Sequence, residues 1–403
     1  MKIVIIHSAN NGFFPRFYRE LHNSILSSGH KAFLLQPRNG ANIRNQLPNQ
    51  ILFGTRLNWY IHHKLYKLTG IQDIWSFWET IFMIIKLIKI NPTIIHLHVV
   101  NECNINFPLL TWYTRYKKIP VVWTMHDCRA FTGDCAYFDE INCDRWITGC
   151  KKCPIKFTYI NNTHLQWQIR KKIFNKFYSL HIVTPSNWLA NYVKKSFLKS
   201  HPCQVIYNGV NIDIFQKEYS DKWLDQYNIR NKIIILGVAG AWEKRKGLDY
   251  FIKLAKDLPQ HYQIVIVGNI PQKIEKIINI PRTNDAYFLA SLYQHSTIFC
   301  NPTLDDNFPT TNIEALAAGT PIITFNTGGS PEAIDSTCGI VVKKGDYPTL
   351  KNKIIYMANH LNQFTRNNCT KRAELFSNKQ YFQYIELYTK IGKEVNLNSA
   401  TLL

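Results

Sequence analysis

Acidic side chains are scarce in this chain: 27 Asp and Glu stand against 48 Lys and Arg in 403 residues, a formal net charge of +21. Glycine and proline are also few, at 18 and 17 residues, which excludes collagen-like and linker-dominated chains. No apolar run is long enough to cross a bilayer. The best candidate, Ile74 to Ile90, is interrupted by Glu79, Lys86 and Lys89, and it falls short of a hydrocarbon layer about 30 Å thick. The opening Met1-Lys2-Ile3-Val4-Ile5-Ile6-His7 is too short in apolar residues for a secretory leader, and no small-residue cleavage site follows. A cytosolic chain is expected.

Hydrophobic residues are plentiful at 46%, with 23 Phe, 21 Tyr and 10 Trp, so disorder is excluded as the main state. The length suggests two domains with separate cores. Charge is unevenly shared. Residues 1–205 carry a net +17 and residues 206–403 a net +4, and from Arg145 to Val205 there are 11 basic residues and no acid. A coding bias toward Lys would raise both halves, so the first half is expected to meet something anionic: a membrane surface, a phosphorylated acceptor or a nucleic acid.

Short apolar runs alternate with helical periodicity throughout. In the first half, strands are expected at Lys2–His7, Lys31–Gln36, Thr93–His98, Val121–Met125, His181–Thr184 and Pro202–Tyr207, and helices at Phe17–Ser28 and Ser76–Ile90. Asn208-Gly209 marks a turn, and a polar stretch runs to Asn231. The pattern then restarts with strands at Lys232–Ala239, Tyr262–Gly268, Thr297–Asn301 and Pro321–Phe325. Helices are expected at Leu248–Asp257, Thr311–Ala318, Tyr347–Leu361 and Lys379–Glu394. Continuous apolar strands between helices imply parallel sheets covered on both faces. The expectation is α/β: two doubly wound, Rossmann-like domains, 1–207 and 208–378, with ligands at the carboxyl ends of the strands. The last helix, 379–394, is expected to pack back on the first domain.

Two stretches carry chemistry. Gly240-Ala241-Trp242-Glu243-Lys244-Arg245-Lys246-Gly247 joins a strand to a helix. Its three cations stand where helix N-terminal amides and the helix dipole already favour an anion such as a diphosphate; a solvated basic turn is the plainer reading. The second is Asn301-Pro302-Thr303-Leu304-Asp305-Asp306-Asn307-Phe308-Pro309-Thr310-Thr311-Asn312-Ile313-Glu314. Asp306 and Glu314 bracket a loop that becomes a helix, placing carboxylates where sugar hydroxyls can donate to them. Thr310, Thr311 and Asn312 offer amides to phosphate. A capped helix with a solvated Glu is the competing reading.

Lys246-Gly247, the Asp306/Glu314 pair, Glu314-Ala-Leu-Ala-Ala-Gly-Thr-Pro321 and Gly328-Gly329-Ser330-Pro331-Glu332 together resemble the family-4 retaining glycosyltransferases of the GT-B fold. Thr184-Pro185-Ser186-Asn187-Trp188-Leu189-Ala190 and Tyr207-Asn208-Gly209-Val210 extend the resemblance over essentially the whole chain. His126-Asp127-Cys128-Arg129-Ala130-Phe131-Thr132-Gly133 is similar to the branch that builds bacterial capsule, exopolysaccharide and colanic-acid-type polymers.

The resemblance implies two domains facing a central cleft, and a UDP- or GDP-linked sugar donor held by the second domain. Lys246, helped by Arg245, would neutralise the diphosphate, and Glu314 would bind the ribose. Asp306 with Asn307, Phe308, Pro309, Thr310, Thr311 and Asn312 would hold sugar and phosphate, and His126 would reach the donor sugar from the first domain. Transfer would retain configuration and need no catalytic metal or other cofactor, working by positioning and by charge stabilisation on the departing diphosphate. The implied acceptor is a glycan or an undecaprenyl-pyrophosphate-linked glycan on the inner face of the cytoplasmic membrane, with nucleic acid not a partner.

The chain departs from the family pattern at three places. Asp306 stands for the usual Glu, Ala241 for an Arg, and Asn10-Asn11-Gly12 for a paired-glycine loop in which Gly12 would serve the donor.

Three features lie outside that scheme. Five of ten cysteines fall in 26 residues, and Cys135, Cys143, Cys150 and Cys153 have a spacing that suits a structural tetrahedral zinc; reduced thiols and an iron–sulfur cluster are the alternatives. His164–Tyr178 reads as a helix with apolar residues (Leu165, Ile169, Ile173, Phe177) and basic ones (Lys172, Lys176) together, suited to an anionic membrane. His96 and His98 alternate on a strand and are expected to be a buried, hydrogen-bonded pair. The competing functions are a nucleotide-sugar 2-epimerase, a nucleic-acid-binding protein and a catalytically inactive GT-B scaffold.

Overall fold

The computed structural model describes residues 1–400 except 11, 101, 102, 156 and 271. Asn11, in the loop assigned above to the donor, lies outside the described residues. The chain divides into two compact units: Met1–Tyr207 together with the terminal helix from Gln380, and Asn208–Lys379.

The first unit is a seven-stranded, wholly parallel sheet. Its strands are β1 (Lys2–Ile6), β2 (Lys31–Pro37), β3 (Gln50–Phe53), β4 (Ile94–Leu97), β5 (Val121–Thr124), β6 (Leu180–Thr184) and β7 (Cys203–Val205), in the order β3-β2-β1-β4-β5-β6-β7. The central strands are apolar on both faces because helices cover both. Helices of eight or more residues here are α1 (Phe14–Ser27), α2 (Arg56–Thr69), α3 (Phe77–Ile90), α4 (Phe107–Tyr116), α5 (Thr163–Phe174) and α6 (Asn187–Lys195). Local signals set their ends: the Thr55 side chain accepts from the Asn58 amide to start α2, and left-handed Gly70 stops it.

The second unit has strands β8 (Ile233–Ala241), β9 (Tyr262–Asn269), β10 (Ile277–Ile280), β11 (Ile298–Asn301), β12 (Ile322–Phe325) and β13 (Gly339–Val342), all parallel and ordered β10-β9-β8-β11-β12-β13. Its longer helices are α7 (Leu248–Asp257), α8 (Ala286–Gln294), α9 (Thr310–Ala317), α10 (Tyr347–Asn359) and α11 (Arg366–Glu374). The terminal α12 (Gln380–Ala400) returns to the first unit, where Tyr381, Tyr384, Tyr388 and Ile391 join the core of β1, β2 and α1. The stretch expected to be polar loop after Asn208 contains two short helices, Asp213–Gln216 and Lys222–Gln226.

Both sheets reverse their winding once, between β1 and β4 and between β8 and β11. In parallel α/β sheets such a reversal, at the carboxyl edge of the strands, is where ligands bind. Every residue singled out for donor chemistry in the second unit lies on the loops and helix that follow β8 and β11.

Candidate functional site

In the second unit the two exit loops are packed onto one another through backbone. A Cβ on Gly247, which adopts φ +80°, would overlap the Pro302 carbonyl, so only glycine lets the cationic turn reach the β11 loop. The Leu304 amide donates to the Arg245 carbonyl at 2.7 Å, and Arg245 Nη1 donates to the Asp305 carbonyl at 2.7 Å. Asp306 is gripped from the other side: Gly328, at φ +57°, has no room for a Cβ against the Asp306 carbonyl, and the Gly329 amide donates to that carbonyl at 3.2 Å.

Three predicted residues thereby converge. Lys246 Nζ pairs with Asp306 Oδ2, and Arg245 Nη1 stands 4.0 Å from the same oxygen. All three side chains are 15–26% exposed, enough to meet a ligand yet shielded from full solvent screening. Lys246 belongs to a single 3-10 turn capped by Gly247.

Glu314 lies on α9 and is buried, and Tyr293 Oη donates to Glu314 Oε2 at 3.1 Å, fixing one carboxylate oxygen. Thr310 and Thr311 open α9 and are half-buried. Asn312 is fully buried with its side chain engaged: Asn301 Nδ2 donates to Asn312 Oδ1 at 2.7 Å, while Asn312 Nδ2 donates to Ser330 Oγ at 3.0 Å. It joins β11, α9 and the glycine turn, and its side chain is a strut of the pocket wall. Phe308 is likewise buried, its ring 5.6 Å from that of Phe376, and Asn307 is buried beside it.

In the first unit His126 follows β5 and is half-buried. His98 Nδ1 lies 2.9 Å from His126 Nε2 with the rings stacked, so one ring must donate and the other accept. Burial pushes the His126 imidazole down to about 4 and holds His7, His96 and His98 well below the ordinary histidine range. All four rings are neutral at pH 7. His96 and His98 are buried as expected, but each takes its hydrogen bonds elsewhere: His96 contacts Tyr388 Oη at 2.6 Å and Thr124 Oγ1 at 2.8 Å. Gly12 is exposed in the turn before α1 with φ +56°.

The sequence reading missed three contributors: Tyr293 as the anchor of Glu314, His98 as the partner of His126, and a cavity of about 790 Å³ in the first unit. Arg38, Arg56 and Arg129 line that cavity with Trp59, Tyr60 and His63. Strand-end placement of His7 and His98 was the available signal for the histidines. The arginines come from three separate loops and helices and share no motif.

In the basic helix, residues of α5 at 163, 166, 167, 170 and 174 are buried and Phe177 belongs to the core, whereas Leu165, Lys172 and Lys176 are exposed and Ile169 and Ile173 half-buried. Cys135, Cys143, Cys150 and Cys153 line one small cavity of about 20 Å³. Among the described residues, no three His, Cys, Asp or Glu side chains stand, in the rotamers they adopt, where they could share a metal ion.

Two family models match the chain: Glycosyltransferase Family 4 over residues 15–214 and Glycosyl transferases group 1 over residues 220–376. An Escherichia coli K12 protein named as a colanic acid biosynthesis glycosyl transferase is 22% identical over 265 residues, 63% of this chain and 64% of that protein. A Staphylococcus aureus capsular polysaccharide biosynthesis glycosyltransferase is 24% identical over 208 residues, covering 46% and 54%. An Escherichia coli O-antigen biosynthesis glycosyltransferase is 25% identical over 211 residues, covering 49% and 59%. The matched stretches thus span between half and two thirds of these relatives' own length. Among solved structures, sucrose-phosphate synthase from Thermosynechococcus elongatus superposes with a TM-score of 0.70 at 16% identity, covering 97% of this chain and 98% of that one. The Anabaena HepE protein in complex with UDP superposes with a TM-score of 0.67 at 14% identity, covering 97% and 100%. At those identities the superpositions speak for the fold, and with the two family models they place the chain: it belongs to the family-4, group-1 glycosyltransferases and has the GT-B fold.

Proposed function

We propose that this protein transfers a sugar from a UDP- or GDP-linked donor to a glycan or lipid-pyrophosphate-linked glycan during assembly of a bacterial surface polysaccharide. The observation that carries the reading is the convergence of Lys246, Arg245 and Asp306 at the point where the second sheet reverses, with Glu314 anchored on the helix that follows. Lysine and arginine there offset the charge that develops on the departing diphosphate. Glu314, with one oxygen held by Tyr293, offers its carboxylate to ribose hydroxyls. Transfer proceeds with retention and without a catalytic metal, as the family resemblance implies, and His126 serves the sugar end of the reaction. The Anabaena protein solved with UDP and with UDP-glucose supports a uridine donor as the first to try.

The acceptor belongs in the first-unit cavity, where guanidinium groups suit pyrophosphate and aromatic rings suit sugar faces. Large apolar residues are exposed on two helices of this unit: Leu57, Tyr60, Ile61 and Leu68 on α2, which helps line the cavity, and Phe77, Trp78, Phe82, Ile85 and Ile88 on α3. Lys64, Lys67, Lys86 and Lys89 share these helices, while the acid of α3, Glu79, is buried. These exposed apolar and basic residues of α2 and α3 suit the inner surface of an anionic membrane. Among the described residues no helix is long and apolar enough to cross a bilayer.

Thermal shift with UDP, GDP, ADP and their sugar conjugates tests the donor. A ligand at about 100 times its Kd adds about 2.7 kcal/mol. One nucleotide should stabilise the native protein and not Lys246→Ala; equal stabilisation of both would misplace the phosphate site. Sedimentation with vesicles tests the membrane face: anionic vesicles should retain the native protein and lose Trp78→Glu/Ile88→Glu.

A further inference from the structure

Between Thr124 and Thr163 the described residues form neither strand nor α-helix, only three single turns of 3-10 helix. A stretch of that length without regular structure is uncommon in a compact domain and needs something other than a hydrogen-bond ladder to hold it. Asn142, Gly149, Cys150 and Lys152 all take left-handed backbone conformations, so the path is tightly wound. The feature common to its turns is sulfur: all four cysteines from Cys135 to Cys153 open onto the same cavity of about 20 Å³, closed by Phe138 and Trp146. That volume holds an ion or a single water and nothing larger.

We propose that Cys135, Cys143, Cys150 and Cys153 form a structural zinc site that fastens this segment to the first unit, independent of the transfer reaction. Zinc favours four sulfur ligands at about 2.3 Å in tetrahedral array, and Cys150-x-x-Cys153 has the short spacing of a zinc turn. The Gly133 amide already donates to Cys150 Sγ at 3.1 Å, an interaction that strengthens when the sulfur is a thiolate.

The sulfur directions seen here are those of protonated thiols. Cys135 donates to the Tyr137 carbonyl at 2.7 Å and Cys153 to the Ile155 carbonyl at 3.1 Å, each a contact within its own turn. Once the proton is lost, each contact sets two acceptors against one another, and the sulfur is driven to turn away from the carbonyl. Binding one Zn²⁺ to four thiols releases four protons to solvent and leaves a net charge of −2 on the site. Arg145 lines the cavity, and Lys151 and Lys152 lie between the last two ligands, so positive charge is at hand to offset it.

Metal content of the protein, purified without chelators and desalted, is the test. About one zinc per chain is expected, with Cys150→Ser/Cys153→Ser losing at least nine tenths of it and Cys203→Ser, outside the cavity, retaining it. Should the double variant fail to fold, cobalt reconstitution of the native chain decides. Intense sulfur-to-cobalt charge transfer with strong tetrahedral ligand-field bands supports the site. Metal-free protein with no such bands, a disulfide among the four cysteines, iron in place of zinc, or zinc that survives in a folded double variant overturns it.

Discussion

The two units share a strand order through their first six strands and differ in what fills the carboxyl edge. The second unit carries a charged cluster at its rim: Lys246, Arg245 and Asp306 are partly exposed, while Asp305 and Glu314 are buried. The first unit takes polarity inside. Arg170 and Asp73 pair at 2.6 Å with 0% and 1% exposure, and Gln72 Oε1 and the carbonyls of Arg129 and Thr132 accept from the remaining guanidinium N–H groups. Four neutral histidines sit at or near its strand ends. A rim charge is free to meet a ligand, whereas a buried polar group must find all its partners in the protein. The second unit is therefore built to change its electrostatic partners during a reaction, and the first to hold a shape.

The largest contrast should come from breaking the buried pair. Arg170→Met leaves Asp73 charged and unmatched in the core, a loss of about 3–5 kcal/mol. Adding Asp73→Leu should return part of it, because removing both charges costs less than removing one. Amide exchange read separately over the two units checks this: protection should fall through β5, α5 and the cysteine segment while β8 to β13 hold. A uniform loss over both units would mean that the pair supports the whole chain.

At the rim, the expected effect is on binding. Charge-assisted hydrogen bonds are worth about 1.5–3 kcal/mol, so Lys246→Ala should weaken the nucleoside diphosphate about ten- to a hundredfold with little change in stability. Asp306→Asn sharpens the reading. Asp306 now neutralises the lysine that the diphosphate needs, so its removal should tighten nucleoside diphosphate binding, by about a few-fold, while slowing transfer, since the same carboxylate is assigned to the sugar. Calorimetric titration against turnover separates the two. Weaker binding in Asp306→Asn would mean that the ion pair positions Lys246 and does not compete with the ligand.

Much of this organisation was legible in the sequence because it rests on continuous apolar strands and on loops at their ends. Of the strands that were missed, β3, β10 and β13 are all sheet edges. Each is four residues long and partly exposed, so none carries a fully buried run. Helix α2 escaped because its apolar residues point outward as well as inward, erasing the period that reveals a core-facing helix. Asp306, Lys246 and Glu314 could be placed from their order along the chain. What could not be read was partnership across distance: the reach of Tyr293 to Glu314, the gathering of arginines around the first-unit cavity, and the burial of Arg170, which counts as surface charge in any composition argument. The basic run from Arg145 to Val205 shows the cost of that omission, since its helix turns its arginine into the core, where it pairs with Asp73.

The smallest expected effect concerns acid. Burial holds His7, His96, His98 and His126 below the ordinary histidine range, His126 down to about 4. The unfolded chain therefore binds more protons than the folded one between those values, and stability contributed by the neutral rings is present above about pH 6.5 and drains away as pH falls toward 4. Since the four rings belong to the first unit, its amide protection should decline over that window before the second unit's does. His98→Asn/His126→Gln keeps polar side chains of similar reach and cannot titrate, so it should flatten the decline. A window of the same slope in that variant would assign the acid response to groups other than His98 and His126, with His7, His96 and the buried His62 the next to replace.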